Sequence, residues 1–324
     1  MSLFLSNNSI FGLDIGFETL KLVELKKNKS TSLVGFAEVP LTERILEKDH
    51  FKNKAQTANL IKEACRKAKP GPIKASKIVS ALPESFVFSK TIQMPKMTKE
   101  EYAKAVPSEA SQYLPMPVEE VYIDFQILIV HPDEPLVDLL VVASPKKLVD
   151  DYVEMTKMAG FELLALETKP IAVGRAVSKI APLESCAIVE IGTEISRISI
   201  WDKTVRLINS VNTGKNHISE SMGEKLSGTK ELKEDNISAV SVISNITDEV
   251  MNAIKYHQNR DYKPRPITKI LLCGSGANIK GIDKIFESEI KIKSEIIKPK
   301  IDNKISLGTE FITSYGLALR SENE

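Results

Sequence analysis

The sequence predicts an α/β protein made of two similar halves, with a smaller module inserted into the first half. Residues 10–39 contain three short apolar runs separated by Gly16 and by the polar segment KKNKS, which indicates three antiparallel strands. The same pattern, three strands with a glycine in the first turn, recurs at 187–211. At 324 residues the chain is long enough for about two domains, so a duplicated half explains its length.

The first half continues with a helix and a buried strand. A helical stretch at 54–68 ends at Lys69-Pro70-Gly71-Pro72, and KIVSAL at 77–82 follows as a strand. From 84 to about 166 the pattern changes to strand, helix, two alternating strands, helix and strand, and Pro107 predicts a kink or break in the first of these helices. This β-α-β-β-α-β order indicates a separate module inserted into the first domain.

The second half contains more helix after its three strands. Helical segments are predicted at roughly 214–226 and 236–258, followed by the strand ITKILLC and the glycine-rich loop GSGANIKG. A helix to about 290, a short strand and the final helix LGTEFITSYGLAL complete the chain.

The duplicated hairpins are the first candidate for a functional site. A glycine just after a strand allows positive φ and brings backbone N–H groups close to a ligand, although a plain type I′ turn is the simpler alternative for one copy. If the halves face each other, two carboxylates and several amides point into one cleft. Because a carboxylate repels phosphate unless a cation intervenes, this arrangement predicts phosphate together with Mg²⁺. The aligned pairs are Asp14 with Glu190, Gly16 with Gly192, Glu18 with Glu194 and Lys21 with Arg197.

The third glycine-bearing element is ILLCGSGANIKGI at 270–282, a strand that leads through an open loop into a helix. A Rossmann fingerprint is disfavoured because Ile279 occupies the position of its last glycine and too little chain follows for a second βαβ half. A phosphate-binding Walker loop also fails, since Asn209 stands where the leading glycine before Gly214-Lys215 belongs. The loop instead suits a ring or ribose lying against bare backbone.

Several motifs, taken in chain order, carry a resemblance to a known family. They are FGLDIGFETLKLVEL, IVEIGTEISRISI, VNTGKN, LLCGSGANIKGI and SYGLALR, together with ALPESFVFSKTIQMPKM, EASQYLPMP at 109–117 and the DFQ triplet at 124–126. The first five resemble the phosphate, adenosine and closing-helix motifs of the actin-like ATPase superfamily. The last three are similar to stretches that distinguish the PilM family of type IV pilus assembly proteins, which is related to the cell-division protein FtsA.

The resemblance implies an actin-like (ribonuclease H-like) two-domain fold with an FtsA-type subdomain 1C inserted in the first domain. Subdomain 1A would comprise 1–83 and 167–185, with the final helix 308–320 packing back on it, and subdomain 1C would comprise 84–166. Subdomain 2A would comprise 186–213 and 263–307, and subdomain 2B would comprise 214–262.

The resemblance also implies ATP and Mg²⁺ in the central cleft. Asp14 and Glu190 would bind the metal, Asp14 and Glu167 would be the catalytic residues, and Glu167 would orient an attacking water. The residues implied to bind the nucleotide are Gly16, Phe17, Thr19, Lys21, Gly192, Thr193, Gly214, Lys215, Gly274, Ser275 and Gly276.

Four positions depart from the family pattern. Phe17 replaces a small hydroxyl residue, Glu190 an aspartate, and Ser275 and Lys215 each a glycine. Glutamate places its carboxylate roughly 1.5 Å further out than aspartate, and a misplacement near 1 Å can lower a rate about a hundredfold. We therefore expect nucleotide binding to be retained better than hydrolysis.

The family further implies a cytoplasmic scaffold at the inner face of the cytoplasmic membrane. Its partner would be the cytoplasmic N-terminal peptide of a PilN-like membrane protein, with links to the pilus motor and platform proteins and with self-association. The segment PMPVEEV and the helix before it are a candidate partner surface; alternatively, Tyr113, Leu114 and Met116 pack the module onto the core. An FtsA-like division protein, or an active ATPase or small-molecule kinase of the same superfamily, remains the alternative.

Composition excludes several classes of function. With Lys+Arg 44 against Asp+Glu 43, the net charge of +1 gives no reason to expect nucleic acid as a partner. The three cysteines lie far apart without a CxxC pair, so neither a disulfide framework nor a zinc site is expected. No segment approaches the roughly 18 apolar residues of a membrane span, which predicts a cytoplasmic protein without a direct span.

Overall fold

Two sheets with the same strand order organise the chain. The computed structural model describes residues 9–27, 31–47, 49–131, 134–181, 185–223, 231–259, 264–301 and 305–321. In the first sheet the three antiparallel strands of the predicted meander continue into two parallel strands, giving the order β3-β2-β1-β7-β11, with β6 at the outer edge of β3. The strands of this half are β1 (Ile10–Ile15), β2 (Thr19–Lys27), β3 (Thr31–Pro40), the small ribbon β4 (Leu46–Glu47) and β5 (His50–Phe51), β6 (Lys69–Pro70), β7 (Lys77–Leu82) and β11 (Glu162–Thr168).

The second sheet repeats this arrangement with the order β14-β13-β12-β15-β16. The first three strands are antiparallel and the last two are parallel to β12, as in the first sheet. The duplication that the sequence predicts therefore extends beyond the hairpins to the whole sheet. The strands are β12 (Ser185–Ile191), β13 (Ser196–Asp202), β14 (Thr204–Val211), β15 (Ile270–Cys273) and β16 (Ser294–Ile296).

Helices cover both faces of each sheet. Outer helices pack on the first sheet through one apolar cluster and on the second sheet through another. Two inner helices lie between the sheets and contact apolar side chains of both. The outer helices are α1 (Lys54–Lys67), α3 (Lys146–Met158), α5 (Lys215–Ser221), α6 (Ile237–Gln258) and α7 (Ile282–Ile290), and the inner helices are α4 (Lys169–Ile180) and α8 (Ile312–Ala318). Residues 224–226 at the end of the predicted helix 214–226 lie outside the described residues.

The inserted module is smaller than its predicted range of 84–166. It contains a three-stranded antiparallel sheet in the order β8-β10-β9, with one helix on one face. The following helix α3 and strand β11 belong to the first half, because α3 packs against α1 and β11 pairs parallel with β7. The sheet of the module therefore ends at Pro145. Its elements are β8 (Phe88–Pro95), α2 (Lys99–Ala110), β9 (Val121–Val130) and β10 (Leu136–Pro145).

Helix α2 is continuous through Pro107, where the sequence predicts a kink or break. It begins at a capping box, in which Thr98 accepts from the N–H of Glu101 and the carboxylate of Glu101 accepts from the N–H of Thr98. The helix ends at Ala110, only three residues after Pro107. The proline therefore lies in the last turn, where the remaining helix is too short for a break to show.

Glycines allow helix α8 to approach its neighbours closely. A Cβ on Gly12 in β1 would lie 2.1 Å from the carbonyl oxygen of Ser314, and a Cβ on Gly316 would lie 1.9 Å from the carbonyl oxygen of Ala172. Any larger residue at either position would push α8 away from β1 or from α4. Because Gly12 and Gly316 have no side chain, α8 can pack directly against β1 and α4.

In the part of the chain that the structure describes, every helix is too short or too polar to cross a lipid bilayer.

We expect Gly12→Ala to lower the free energy of unfolding by about 2 kcal/mol, because the added methyl group overpacks the contact with α8. The change is measured as a shift of the urea midpoint. Gly71→Ala is the matched control, since its Cβ would meet no atom closer than the carbonyl oxygen of Val34 at 3.5 Å. Equal midpoints for both variants would contradict the close approach of α8.

Candidate functional site

The two glycine hairpins line one crevice between the halves of the molecule. The β1–β2 turn lies on one side, the β12–β13 turn lies on the other, and the loop after β15 completes the wall. The cavity between them is about 50 Å³. Of the residues predicted to bind a cofactor or metal, those that line it are Asp14, Gly16, Phe17, Thr19, Lys21, Glu190, Gly192, Thr193, Gly274 and Ser275.

Three glycines, Gly16, Gly192 and Gly274, line the crevice, and only Gly274 has a positive φ. Gly274 has φ +86 and could not hold a Cβ, which would lie 2.5 Å from the carbonyl oxygen of Ile191. Gly16 and Gly192 are not among the positive-φ glycines, so that prediction is wrong for the hairpins. Each instead closes its turn by donating its N–H to the carbonyl oxygen three residues ahead, Thr19 at 2.8 Å and Ile195 at 3.0 Å. A Cβ would lie 3.0 Å and 2.6 Å from these same oxygens.

Asp14 forms a buried ion pair with Lys169, the first residue of α4. The distance from Lys169 Nζ to Asp14 Oδ1 is 2.7 Å. Burial would raise the pKa of the Asp14 carboxyl, but the ammonium groups of Lys169 and Lys21 and the guanidinium of Arg197 outweigh it and hold this pKa below its ordinary value. Asp14 is therefore a carboxylate whose charge the protein itself compensates.

Glu190, the equivalent acid of the second half, is also paired. Its Oε2 lies 3.3 Å from Nη1 of Arg197, which stands directly opposite on β13. Its Oε1 accepts a hydrogen bond of 2.9 Å from the hydroxyl of Thr313 on α8. Both acids thus have partners within the chain, and the two partners are cations on elements that end at the cleft.

These contacts do not fit the predicted Mg²⁺ site. Mg²⁺ requires carboxylate, phosphate or water oxygens in near-octahedral geometry, and the two predicted ligands already hold Lys169 and Arg197. Among the described residues, no three His, Cys, Asp or Glu side chains form a group that could hold a metal ion. The assignment of Asp14 and Glu190 as metal ligands therefore disagrees with the donor set in the structure.

Lys21 and Thr19 contact each other on the first hairpin. The ammonium of Lys21 donates to the hydroxyl of Thr19 and forms an ion pair of 3.3 Å with Glu38 on β3. Lys21 stands opposite Asp14 in the strand register, as Arg197 stands opposite Glu190. The acid–base pair of adjacent strands is therefore a second feature that both halves share.

Three of the predicted nucleotide-binding residues are not among those that line the crevice. The N–H of Lys215 donates to the carbonyl oxygen of Gly192 at 2.8 Å, and Gly214 precedes it at the start of α5. A Cβ on Gly214 would lie 2.6 Å from the carbonyl oxygen of Thr193, and one on Gly276 would lie 2.2 Å from Cγ2 of Ile191. In this structure Gly214, Lys215 and Gly276 hold the second hairpin in place.

Glu167, predicted to orient water, is not among the residues that line the crevice. Arg175 holds both of its carboxylate oxygens at 2.8 and 2.9 Å, and Arg320 contacts one of them as well. A carboxylate shared by two guanidinium groups is not available to a water in the cleft. The geometry therefore contradicts the catalytic role predicted for Glu167.

Lys169 is a crevice residue that sequence reasoning missed. It opens the apolar helix KPIAVGRAV, and a cation at a helix N-terminus is unfavourable with the helix dipole. A buried lysine in that position requires a carboxylate partner, and this requirement is the signal that the sequence offered.

Asn216 bridges the two hairpins. Its Nδ2 donates to Glu18 Oε1 at 2.6 Å and to Glu194 Oε1 at 2.7 Å. These glutamates occupy equivalent positions in the two halves, so one amide connects both turns across the crevice. A second cavity of about 270 Å³ adjoins and shares Gly16, Phe17, Lys169 and Arg197 with the crevice. Small-molecule sites usually occupy about 300–1,000 Å³, and the crevice alone is much smaller than that.

Two comparisons with known proteins match this chain over nearly its whole length. A family model described as type IV pilus assembly protein PilM matches residues 12–322. A solved structure described as the PilM–PilN type IV pilus biogenesis complex is similar to this chain with a TM-score of 0.80 and 25% identity, covering 96% of this chain and 97% of that one.

More distant neighbours share the fold alone. The ethanolamine utilization protein EutJ from Carboxydothermus hydrogenoformans has 13% identity and a TM-score of 0.52, covering 95% of this chain and 88% of that one. The MreB5 protein of Spiroplasma citri bound to ADP has 13% identity and a TM-score of 0.51, covering 96% and 95%. These neighbours confirm the predicted actin-like α/β fold.

We expect Asn216→Asp to lower the free energy of unfolding by about 1–3 kcal/mol, because a third carboxylate replaces a donor that two charged groups share. Urea unfolding measures this change. The matched control is Asn59→Asp on the exposed side of α1, for which we expect a change within about 0.5 kcal/mol. If Asn216→Asp behaved like the control, the bridge between the hairpins would be absent in solution.

We expect Glu167→Gln to destabilise the protein by about 3 kcal/mol, since two guanidinium groups lose their shared negative partner in a largely buried site. The same unfolding measurement tests this. Glu162→Gln, at the exposed start of the same strand, is the control and should leave stability nearly unchanged. A Glu167→Gln protein as stable as the parent would show that the ion pairs are not formed.

Proposed function

Because the chain belongs to the PilM family of type IV pilus assembly proteins, we propose that it is an actin-like scaffold that binds a nucleotide between its halves and a PilN-like membrane protein on its surface. The family match over residues 12–322 is the observation that carries this proposal. It favours neither an FtsA-like division protein nor a kinase.

The partner would be the cytoplasmic N-terminal peptide of a PilN-like inner-membrane protein. The similar structure at 25% identity is a PilM–PilN complex, and it covers nearly the whole of this chain. Through this partner the protein would lie at the inner face of the cytoplasmic membrane and connect to the pilus motor and platform proteins. Self-association and the division into subdomains 1A, 1C, 2A and 2B stay predictions. For subdomain 1C we now propose a shorter range, which contains the three-stranded sheet and α2.

The exposed apolar side chains support a docking surface on the inserted module and on the helix that follows it. Six of the exposed large apolar side chains among the described residues lie within 113–158, and we call this group the module surface. They are Tyr113, Tyr122, Ile127, Val130, Val153 and Met158. The candidate surface predicted from sequence, PMPVEEV and the helix before it, overlaps the module surface at Tyr113. Tyr113 is exposed, with the ammonium of Lys90 over its ring. Leu114, in contrast, packs on the apolar core of the module.

Strand β9 is the part of the module surface best suited to an extended peptide. It is an edge strand, paired on one side with β10. Ile127 and Val130 stand opposite Leu139 and Val137, which belong to the core under α2, yet they are themselves 46% and 56% exposed. An edge strand with uncovered apolar side chains can pair with an added strand and bury those side chains against it.

The nucleotide would lie in the crevice between the hairpins. The glycines of the two turns and of the loop at Gly274 leave space for close approach of a ligand, and Lys169 and Arg197 face this space from opposite halves. Gly214 and Lys215 would reach the nucleotide after the Asn216 bridge opens. We expect slow hydrolysis or none, because the predicted water-orienting carboxylate of Glu167 is held by Arg175 and Arg320.

We expect the full chain to bind a fluorescently labelled synthetic peptide with the cytoplasmic N-terminal sequence of a PilN-like protein, measured by fluorescence anisotropy. The double variant Ile127→Ser, Val130→Ser should weaken binding by about tenfold or more, since about 1.4 kcal/mol corresponds to tenfold and two aliphatic contacts supply at least that.

Two controls separate the outcomes of this experiment. A scrambled peptide should not bind, and Ile237→Ser on α6, where the side chain is 80% exposed, should bind like the parent. Equal affinity of the β9 variant and the parent would exclude this strand as the docking site. Failure of the parent to bind the peptide would refute the proposed partner.

A further inference from the structure

We infer that Lys169 is the resident cation of the cleft, so that the site binds nucleotide phosphates without a divalent metal ion. This inference rests on the proposal that the cleft binds a nucleotide. The ammonium of Lys169 would allow the carboxylate of Asp14 and the phosphates to occupy one site, because it carries the positive charge that both need.

The geometry places the ammonium group where a cation is needed. Lys169 Nζ contacts Asp14 Oδ1 at 2.7 Å, and both side chains are buried. Lys169 also lines the crevice and the adjoining cavity, so it faces the phosphate space while it compensates the acid. An ammonium with three donors can contact a carboxylate and a phosphate oxygen at the same time.

Arg197 supplies the matching cation from the second half. It holds Glu190 at 3.3 Å and lines the same two cavities as Lys169. Its guanidinium is planar, a geometry that suits phosphate oxygens. Two fixed cations on opposite sides of the crevice therefore approach a polyanion from both halves.

A divalent metal on Asp14 would have to displace Lys169. The displaced ammonium would remain buried at the start of α4, beside a dication and at the positive end of the helix dipole. Burying an uncompensated cation next to like charge is strongly unfavourable. The second predicted ligand offers no relief, since Glu190 is already shared by Arg197 and Thr313.

The experiment measures the affinity of the full chain for N-methylanthraniloyl-ATP, with excess Mg²⁺ and with excess EDTA. For the parent protein we expect the two dissociation constants to agree within about threefold. For Lys169→Met we expect affinity in EDTA to fall about tenfold or more, the change that about 1.4 kcal/mol of lost interaction gives. Mg²⁺ should restore part of this loss, because Asp14 is then free to accept a metal.

Two further variants control for folding and for general charge effects. Lys179→Met removes an exposed lysine from the last turn of the same helix and should bind like the parent in both buffers. The double variant Asp14→Asn, Lys169→Met removes the buried pair as a unit, which avoids an uncompensated carboxylate. It should show the loss of affinity in EDTA without recovery in Mg²⁺.

The outcomes distinguish this inference from the proposed function. If the parent bound the analogue in Mg²⁺ and lost more than about tenfold in EDTA, a metal would be required and the inference would fail while nucleotide binding stood. The assigned role of Lys169 would also be refuted if both Lys169 variants bound like the parent in EDTA and their circular dichroism spectra showed that they are folded. No binding in either buffer would overturn the nucleotide proposal and the inference together.

Discussion

The layer formed by helices α4 and α8 between the two sheets is the constraint on which the rest of the structure depends. Apolar side chains of both sheets contact it, Val23 and Leu25 from one and Ile188 and Leu271 from the other. The same two helices carry contacts to both cleft acids, since α4 begins with Lys169 and α8 contributes Thr313. Any movement of the halves that opens the crevice must therefore act on the buried layer that joins them. This coupling would link the proposed nucleotide binding to the shape of the whole scaffold.

The sequence was sufficient for the features that local patterns encode. Alternating apolar residues and a repeated glycine predicted both three-stranded meanders, and aligning the copies matched Asp14 with Glu190 and Lys21 with Arg197. The strand register then showed that the acid stands opposite the base in each half. The φ angles of the glycines could not be predicted in this way. A repeated glycine indicates that a Cβ is excluded, but the exclusion arises at Gly16 from a carbonyl oxygen three residues ahead and at Gly274 from backbone conformation as well.

Long-range strand pairing explains why the sequence assigned residues 162–166 to the inserted module. Strand β11 pairs with β7 through an irregularity between Leu163 and Ala165, which inserts one residue and reverses the faces of the residues that follow. No pattern within the strand marks this shift. Glu167 lies within β11, whereas Lys169 begins helix α4 and lines the crevice. The same pairing places 162–168 in the first sheet, although its apolar pattern suits a strand of the inserted module equally well.

Cations of the protein hold three of the acids at or near the crevice, and this favours binding over catalysis. Asp14, Glu190 and Glu167 each hold a cation of the protein, and Glu18 and Glu194 share the amide of Asn216. An enzyme accelerates a reaction only through interactions that become stronger in the transition state, and a carboxylate already bound by a guanidinium has little left to offer an attacking water. Fixed cations, in contrast, can bind ground-state phosphates directly. A cleft built in this way suits a scaffold in which the ligand holds two halves together and in which its persistence, rather than its turnover, determines the shape presented to a partner.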